Sequence, residues 1–263
     1  MLKHNQIFQE ALKLFNNEMG TDFSTDNIML CICKQNDFDS KRTQFIEEFS
    51  FNTDKSNSAT VTLAEAFAYG YDNGNPISGI IFVDYPEITD AYEIMHAFLH
   101  ELSHIYCTKN EVQNGHFYDD YCSDTSSTSD ISVENGYYNA GYAIWRELAA
   151  EIMSYSILPS IPYGIESVIQ NYEFYEENIT PFSFSSKIAT SDLLTKIAFT
   201  EEAATLSTEE LLEIVRKSPL SFIDKTLGLV MPQLNQEPFY KITSEFIFDL
   251  GVTYITMLTE RIK

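Results

Sequence analysis

The pentapeptide His100-Glu101-Leu102-Ser103-His104 lies within a long apolar run, Ala91 to Cys107, that reads as a helix. Residues four apart share one face of a helix, so His100 and His104 are predicted to direct two imidazoles at one point. Glu101 is the next residue round the helix, close enough to contact a water molecule held at that point. A helix that is apolar nearly all round is buried, and buried polar groups need partners. The motif therefore predicts a zinc site that supports hydrolysis.

A second helical run, from about Tyr142 to Leu158, carries two carboxylates at the same four-residue spacing. Glu147 and Glu151 are therefore predicted to share a face. A catalytic zinc takes three protein ligands and leaves a fourth position for water, and Glu147 is the natural third ligand. Glu151, one turn later, is placed to accept the outer N–H of a ligating histidine, a contact that fixes the tautomer and the ring orientation.

HExxH followed by a helix with Glu-x-x-x-Asp/Glu resembles the gluzincin metallopeptidases, the thermolysin-like group, over about residues 79–159. The resemblance implies a zinc-dependent peptidase with His100, His104 and Glu147 as ligands. It also implies that Glu101 is the general base and that Glu151 supports a histidine ligand. Two positions depart from the pattern. Arg146 stands where these enzymes usually carry Asn, and Glu151 replaces the commoner Asp, which leaves the subfamily open.

The same segment is similar to ImmA/IrrE-type bacterial metallopeptidases, whose third-ligand helix is Ala-rich and ends in a Pro, as at Pro159. That similarity implies a cytoplasmic protease of narrow specificity that cleaves a regulatory protein. A basic DNA-binding partner domain would support this interpretation, and none is evident in the sequence. A metzincin motif is disfavoured because it needs a third histidine at position 110, which is Asn110. A di-iron bundle is disfavoured because its two Glu-x-x-His pairs would have to share one helix.

A zinc-binding regulatory or protein-interaction module with little hydrolytic activity is the alternative function. The presence of Glu101 argues against it, since a structural site needs no base and usually closes with four protein ligands.

Four further features are candidates for the site. Tyr138, with its neighbour Tyr137, precedes Glu147 by about the distance at which thermolysin-like enzymes place an oxyanion-stabilising Tyr. His116 is a weaker candidate for that role. His96 is interpreted as a core histidine with a satisfied hydrogen bond rather than a residue of the cleft. Residues 79–85 fit either an edge strand that holds an extended peptide or an ordinary core strand.

Composition limits the partners and the compartment. A formal net charge of −23 opposes nucleic-acid binding and anionic membranes. The expected partner, a peptide or protein substrate, is implied by the resemblance to metallopeptidases. The first twenty residues lack a signal-peptide core, and no stretch has the apolar length of a membrane span, which predicts a cytoplasmic protein. Four cysteines are too few for a disulfide scaffold, and Cys31 and Cys33 are interpreted as core thiols.

Strand patterns precede the HExxH motif and helical patterns follow it, so the predicted class is α+β with a zincin-like arrangement. The expected layout is a catalytic part over residues 1–159 and a mainly helical part over residues 160–263, packed as one compact unit. Residues 109–139 are predicted to be a long polar loop that acts as a substrate lid, or else an uninvolved insertion.

Overall fold

The computed structural model describes residues 2–52, 63–110, 133–159, 162–180 and 184–261. In this part of the chain the class is α+β, as predicted, with a small three-stranded sheet among many helices. The chain divides into two units, residues 1–109 with 150–159 and residues 110–149 with 160–263. This division shares the predicted boundary at residue 159 but assigns 110–149 to the second unit. A single compact unit and a zincin-like arrangement stay predictions.

The first unit contains the sheet. Its elements are α1 (Leu2–Met19), β1 (Ile28–Cys33), α2 (Phe38–Glu48), β2 (Ala64–Asp72), β3 (Asn75–Val83) and α3 (Ala91–Asn110). The strand order is β1-β3-β2, with β1 parallel and β2 antiparallel to β3. Asn73 and Gly74 join β2 to β3 with positive φ angles of 48° and 84°, which Asn and Gly tolerate in a tight hairpin turn.

The central position of β3 decides between the two interpretations of residues 79–85. Ser78 to Val83 pair with β1 on one side, and Asn75 to Phe82 pair with β2 on the other. An edge strand with a free side for a peptide is therefore wrong, and the core strand is confirmed for this segment. Its apolar residues on both faces are what a strand covered on both sides requires.

Alternate residues of β3 pack into two hydrophobic layers. Ile81 and Val83 join a cluster with Phe45 and Ile46 of α2, and Cys33 of β1 belongs to the same cluster. On the other face, the ring of Phe82 contacts Phe98 of α3 at 4.9 Å, and Phe98 contacts Phe8 of α1 at 5.2 Å. The motif helix α3 is therefore held directly against the centre of the sheet by aromatic packing.

Cys31 and Cys33 are free thiols at this sheet, as the sequence predicted. Cys31 packs against the cluster around α2 and Cys33 belongs to it. Burial raises the pKa of the Cys33 thiol to about 11, so this sulfur stays protonated and is a poor metal ligand near neutral pH.

The second unit is helical in its described residues. Helix α4 (Val133–Ile157) enters both units, because its residues up to 149 belong to the second and the rest to the first. The remaining helices are α5 (Ile165–Gln170), α6 (Tyr172–Asn178), α7 (Phe184–Ala198), α8 (Glu201–Thr205), α9 (Thr208–Arg216), α10 (Asp224–Leu234) and α11 (Ser244–Glu260). Ser207 and Glu210, which have the three-residue spacing of a capping box, form one at the start of α9.

Two glycines fix α4 against α11 inside the second unit. A Cβ atom on Gly141 would collide with the carbonyl oxygen of Ile247, and one on Gly251 would collide with that of Tyr137. The two helix backbones therefore approach as closely as glycine permits. Among the described helices, none has both the length and the apolar character needed to cross a membrane.

The ends of the predicted loop at 109–139 are helical instead. Helix α3 continues through Asn110, and α4 already begins at Val133. The first turns of α4 contain the poor helix formers Asn135 and Gly136, so the packing of Tyr137 and Tyr138 on Phe248 supports the helix there more than local propensity does. Residues 111–132, with His116 and Cys122, lie outside the described residues. The lid stays a prediction.

Candidate metal centre

Helix α3 presents the motif in a buried setting. The carboxylate of Asp90, the residue before the helix, accepts a hydrogen bond from the backbone N–H of Tyr92 at 2.9 Å and so caps the start of the helix. Glu101 and His104 are only 7% and 8% exposed, whereas His100 is half-buried. Apolar side chains of the same helix are completely buried around them, namely Phe98, Leu99, Leu102 and Ile105. The motif's polar groups therefore lie at the edge of a hydrophobic core.

Helix α4 carries the two predicted carboxylates on its less buried face. Trp145, Leu148 and Ala149 are fully buried, which fixes the rotation of the helix about its axis. The side chains of Glu147 and Glu151 keep 22% and 25% exposure. Their four-residue spacing places them one turn apart on one side, as predicted.

The structure brings together the three predicted ligands, His100, His104 and Glu147. One ligand atom from each side chain can be chosen so that all three lie within 4.8 Å of one another. The rings of His100 and His104 are 4.6 Å apart and nearly perpendicular, at 85°. Two imidazoles and one carboxylate are a donor set that suits zinc and leaves a coordination position for water. Other divalent metals that accept imidazole and carboxylate ligands also fit this donor set.

Glu151 contacts His100, one of the two histidines predicted for it. Its Oε2 atom is 2.6 Å from Nδ1 of His100, which is a short, charge-assisted hydrogen bond. An ionised carboxylate can only accept, so Nδ1–H must donate. In a neutral ring the other nitrogen, Nε2, then carries a lone pair for a metal. His100 is therefore oriented to bind a metal ion together with His104 and Glu147.

His96 lies one turn before His100 and is also partnered. Its Nε2 atom is 3.2 Å from the hydroxyl oxygen of Ser154, and its ring centre is 4.5 Å from that of Tyr155. Burial lowers the pKa of His96, although the negative charge of Glu151 opposes that shift. His96 is therefore mainly neutral near pH 7. The predicted satisfied hydrogen bond is present, but the residue is half-buried beside Glu151 rather than in the core.

Arg146, at the position where the thermolysin-like pattern has Asn, forms an ion pair with the adjacent Glu147. The distance from its terminal nitrogen to Oε1 of Glu147 is 3.2 Å, and its side chain is 42% exposed. An exposed pair of this kind contributes little stability. It does place a positive charge beside the predicted third ligand.

Tyr138 and Tyr137 both contact the ring of Phe248 in α11, at 5.2 and 5.6 Å. Tyr138 precedes Glu147 by nine residues of one helix, which is about two and a half turns. It therefore projects from the side of α4 opposite to Glu147. Helix geometry argues against Tyr138 as an oxyanion donor at this centre, and the role stays an untested prediction.

Sequence reasoning did not identify Ser154 and Tyr155 as neighbours of the site. Their signal was present, because they follow Glu151 by three and four residues and so share its side of the helix.

Comparisons of this chain with protein-family models, with curated proteins and with solved structures found no match.

Proposed function

We propose that this protein is a zinc-dependent metallopeptidase that hydrolyses peptide bonds. The observation that supports the proposal is the convergence of His100, His104 and Glu147 on one point, with Glu151 bonded to the outer nitrogen of His100. A peptide or protein is the proposed substrate. A cytoplasmic location is part of the proposal, as the composition indicated.

Each residue then has a defined role. Zinc bound here would lower the pKa of its water and polarise the scissile carbonyl. Glu101, which precedes the buried Leu102 on α3, accepts the water's proton and later delivers it to the leaving amine. At 7% exposure its carboxylate is shielded from bulk solvent, which keeps the transferred proton at the site. Glu151 holds His100 in the tautomer that offers Nε2.

The experiment combines elemental analysis with digestion of a peptide library by wild type and Glu101→Gln. Both proteins should contain about one zinc per chain, because the substituted residue is not a ligand. The amide is nearly the same shape as the carboxylate but cannot accept the proton. Hydrolysis should therefore fall by on the order of 10²–10⁴, and by more if Glu101 also acts as the acid.

Glu93→Gln is the matched control, since Glu93 is an exposed carboxylate on the first turn of the same helix. It should keep both zinc and activity. Undiminished turnover by zinc-loaded Glu101→Gln would overturn the mechanism. Zinc binding without hydrolysis by wild type would instead indicate the regulatory or protein-interaction module.

A further inference from the structure

The carboxylate of Glu151 lies between two histidines of α3. Its Oε2 bonds Nδ1 of His100 at 2.6 Å, and its Oε1 is 3.8 Å from Nε2 of His96. His96 and His100 are one turn apart on the same helix, so both rings face α4. The second distance is too long for a good hydrogen bond, but it places the Glu151 carboxylate beside the polar nitrogen of the His96 ring.

Hydrogen bonding determines which nitrogen of His96 carries the proton. The hydroxyl of Ser154 donates to the backbone carbonyl of Glu151 at 2.9 Å. Its oxygen is then free to accept, and Nε2 of His96 lies 3.2 Å away. With the hydroxyl hydrogen directed at that carbonyl, Nε2–H of His96 donates to the oxygen of Ser154, and the same nitrogen lies 3.8 Å from Oε1 of Glu151.

Packing holds the His96 ring in this position. Its side chain is 17% exposed, and Ser154 is completely buried. The ring contacts Tyr155 and is stacked on Tyr92 at 6.5 Å, while the hydroxyl of Tyr92 donates to the carbonyl of Leu158 at 3.2 Å. Thus α3 and the last turns of α4 are connected by contacts that follow Glu151 along α4.

We propose that His96, held by Ser154, is a positioning residue that fixes the Glu151 carboxylate in the orientation that bonds His100. This inference rests on the proposed metal site, because the orientation matters through the lone pair it leaves on Nε2 of His100. With His96 in place, rotation of the carboxylate away from His100 would separate Oε1 from the Nε2–H dipole. Without it, Glu151 can turn towards solvent, to which a quarter of its side chain is already open.

The primary experiment is NMR of the metal-free, full-length protein labelled with ¹⁵N-histidine. A proton in a short bond to a carboxylate resonates far downfield and exchanges slowly with water. The Nδ1–H signal of His100 is assigned by its loss in His100→Gln. Glu151→Gln weakens the acceptor and gives the reference for a lost charge-assisted bond.

His96→Phe keeps an aromatic ring against Tyr155 but removes the N–H. It should move the His100 signal upfield and speed its exchange, in the direction of Glu151→Gln. Ser154→Ala should do the same to a smaller extent, because His96 then loses its acceptor. His96→Gln restores an N–H donor and should recover part of the wild-type signal. His4→Phe is the matched control, since His4 is another buried histidine of the first unit, on α1.

Zinc affinity, measured by competition with a chelator, gives an independent second result. His96→Phe should weaken zinc binding by about tenfold, the lower end of the range for residues that support a ligand. An unchanged His100 signal in both His96→Phe and Ser154→Ala, or an equal shift in His4→Phe, would overturn the inference. If wild type bound no zinc, the proposed function would fail, and the NMR result would still decide whether His96 positions Glu151.

Discussion

Two carboxylates in the first unit, Glu65 and Glu151, form short bonds to cationic or imidazole partners but leave different chemistry behind. Arg42 of α2 donates to both oxygens of Glu65 in β2, at 2.7 and 2.8 Å. A guanidinium only donates, so this bidentate pair is complete and its charges cancel. The Arg42 group also lies 5.9 Å from the ring centre of Phe67. This pair therefore connects a helix to the sheet.

The pair of Glu151 and His100 is incomplete by comparison, because its hydrogen bond uses only one of the two ring nitrogens. Imidazole has two nitrogens, and bonding Nδ1–H to Glu151 leaves a lone pair on Nε2 that can bind a metal ion. His104 and Glu147 converge near that atom with further donors. The two pairs differ in what the partner of the carboxylate can still do. The imidazole of His100 has a second nitrogen that can bind a metal ion, whereas the guanidinium of Arg42 can only donate hydrogen bonds.

Removing the carboxylate of Glu147 tests the incomplete site most strongly. Glu147→Ala should reduce zinc affinity by more than about 100-fold, because loss of a ligand exceeds the loss expected for a supporting residue. Chelator competition measures the change. Glu134→Ala, an exposed carboxylate on the first turn of the same helix, should leave the affinity unaltered. If Glu147→Ala kept full occupancy while Glu151→Ala lost it, the two roles would have to be exchanged.

Breaking the complete pair should affect stability and not metal binding. Glu65→Leu leaves the charge of Arg42, only 4% exposed, without its carboxylate. We expect the free energy of unfolding to fall by about 3 kcal/mol, the lower end for a buried pair because the side chain of Glu65 is 19% exposed. Urea unfolding measures the loss, and zinc affinity should not change.

The double variant Arg42→Met/Glu65→Leu is the control for that experiment. Removing both charges replaces the pair with apolar groups of similar size, so most of the stability should return. A Glu65→Leu variant within about 0.5 kcal/mol of wild type would show that the pair behaves as an exposed surface bridge. Weaker zinc binding by this variant would show that the two polar pairs are coupled.

The local part of the site could be predicted from the sequence because helix periodicity determines it. A four-residue spacing puts His100 with His104 on one face of α3, and Glu147 with Glu151 on one face of α4, whatever the rest of the chain does. The capping box at Ser207 and the cap at Asp90 were predictable for the same reason, since each depends on neighbouring residues. The α+β class followed from the order of strand and helix patterns.

Features that depend on distant parts of the chain could not be predicted. The central place of β3 depends on pairing with β1, about fifty residues earlier, and apolar residues on both faces do not reveal which strands flank it. The contact of His96 with Ser154 joins residues 58 positions apart and requires the packing of α3 on the end of α4. The direction of Tyr138 could not be predicted because residues 133–139 were predicted as loop, whereas a helix fixes that direction.

The smallest expected effect concerns Glu151, where the comparison between complete and incomplete pairs is sharpest. Glu151→Ala removes the acceptor of His100 Nδ1–H but no ligand, so zinc should still bind, about 10–100-fold more weakly. Chelator competition should therefore rank Glu147→Ala as the weakest binder, then Glu151→Ala, then wild type. Ser156→Ala, which removes an exposed hydroxyl from the same helix, should bind as wild type does. Equal losses in Glu147→Ala and Glu151→Ala would mean that Glu151 binds the metal directly. No loss in Glu151→Ala would mean that His100 adopts its metal-binding tautomer without help, and that the bond from Glu151 does not prepare His100 to bind a metal.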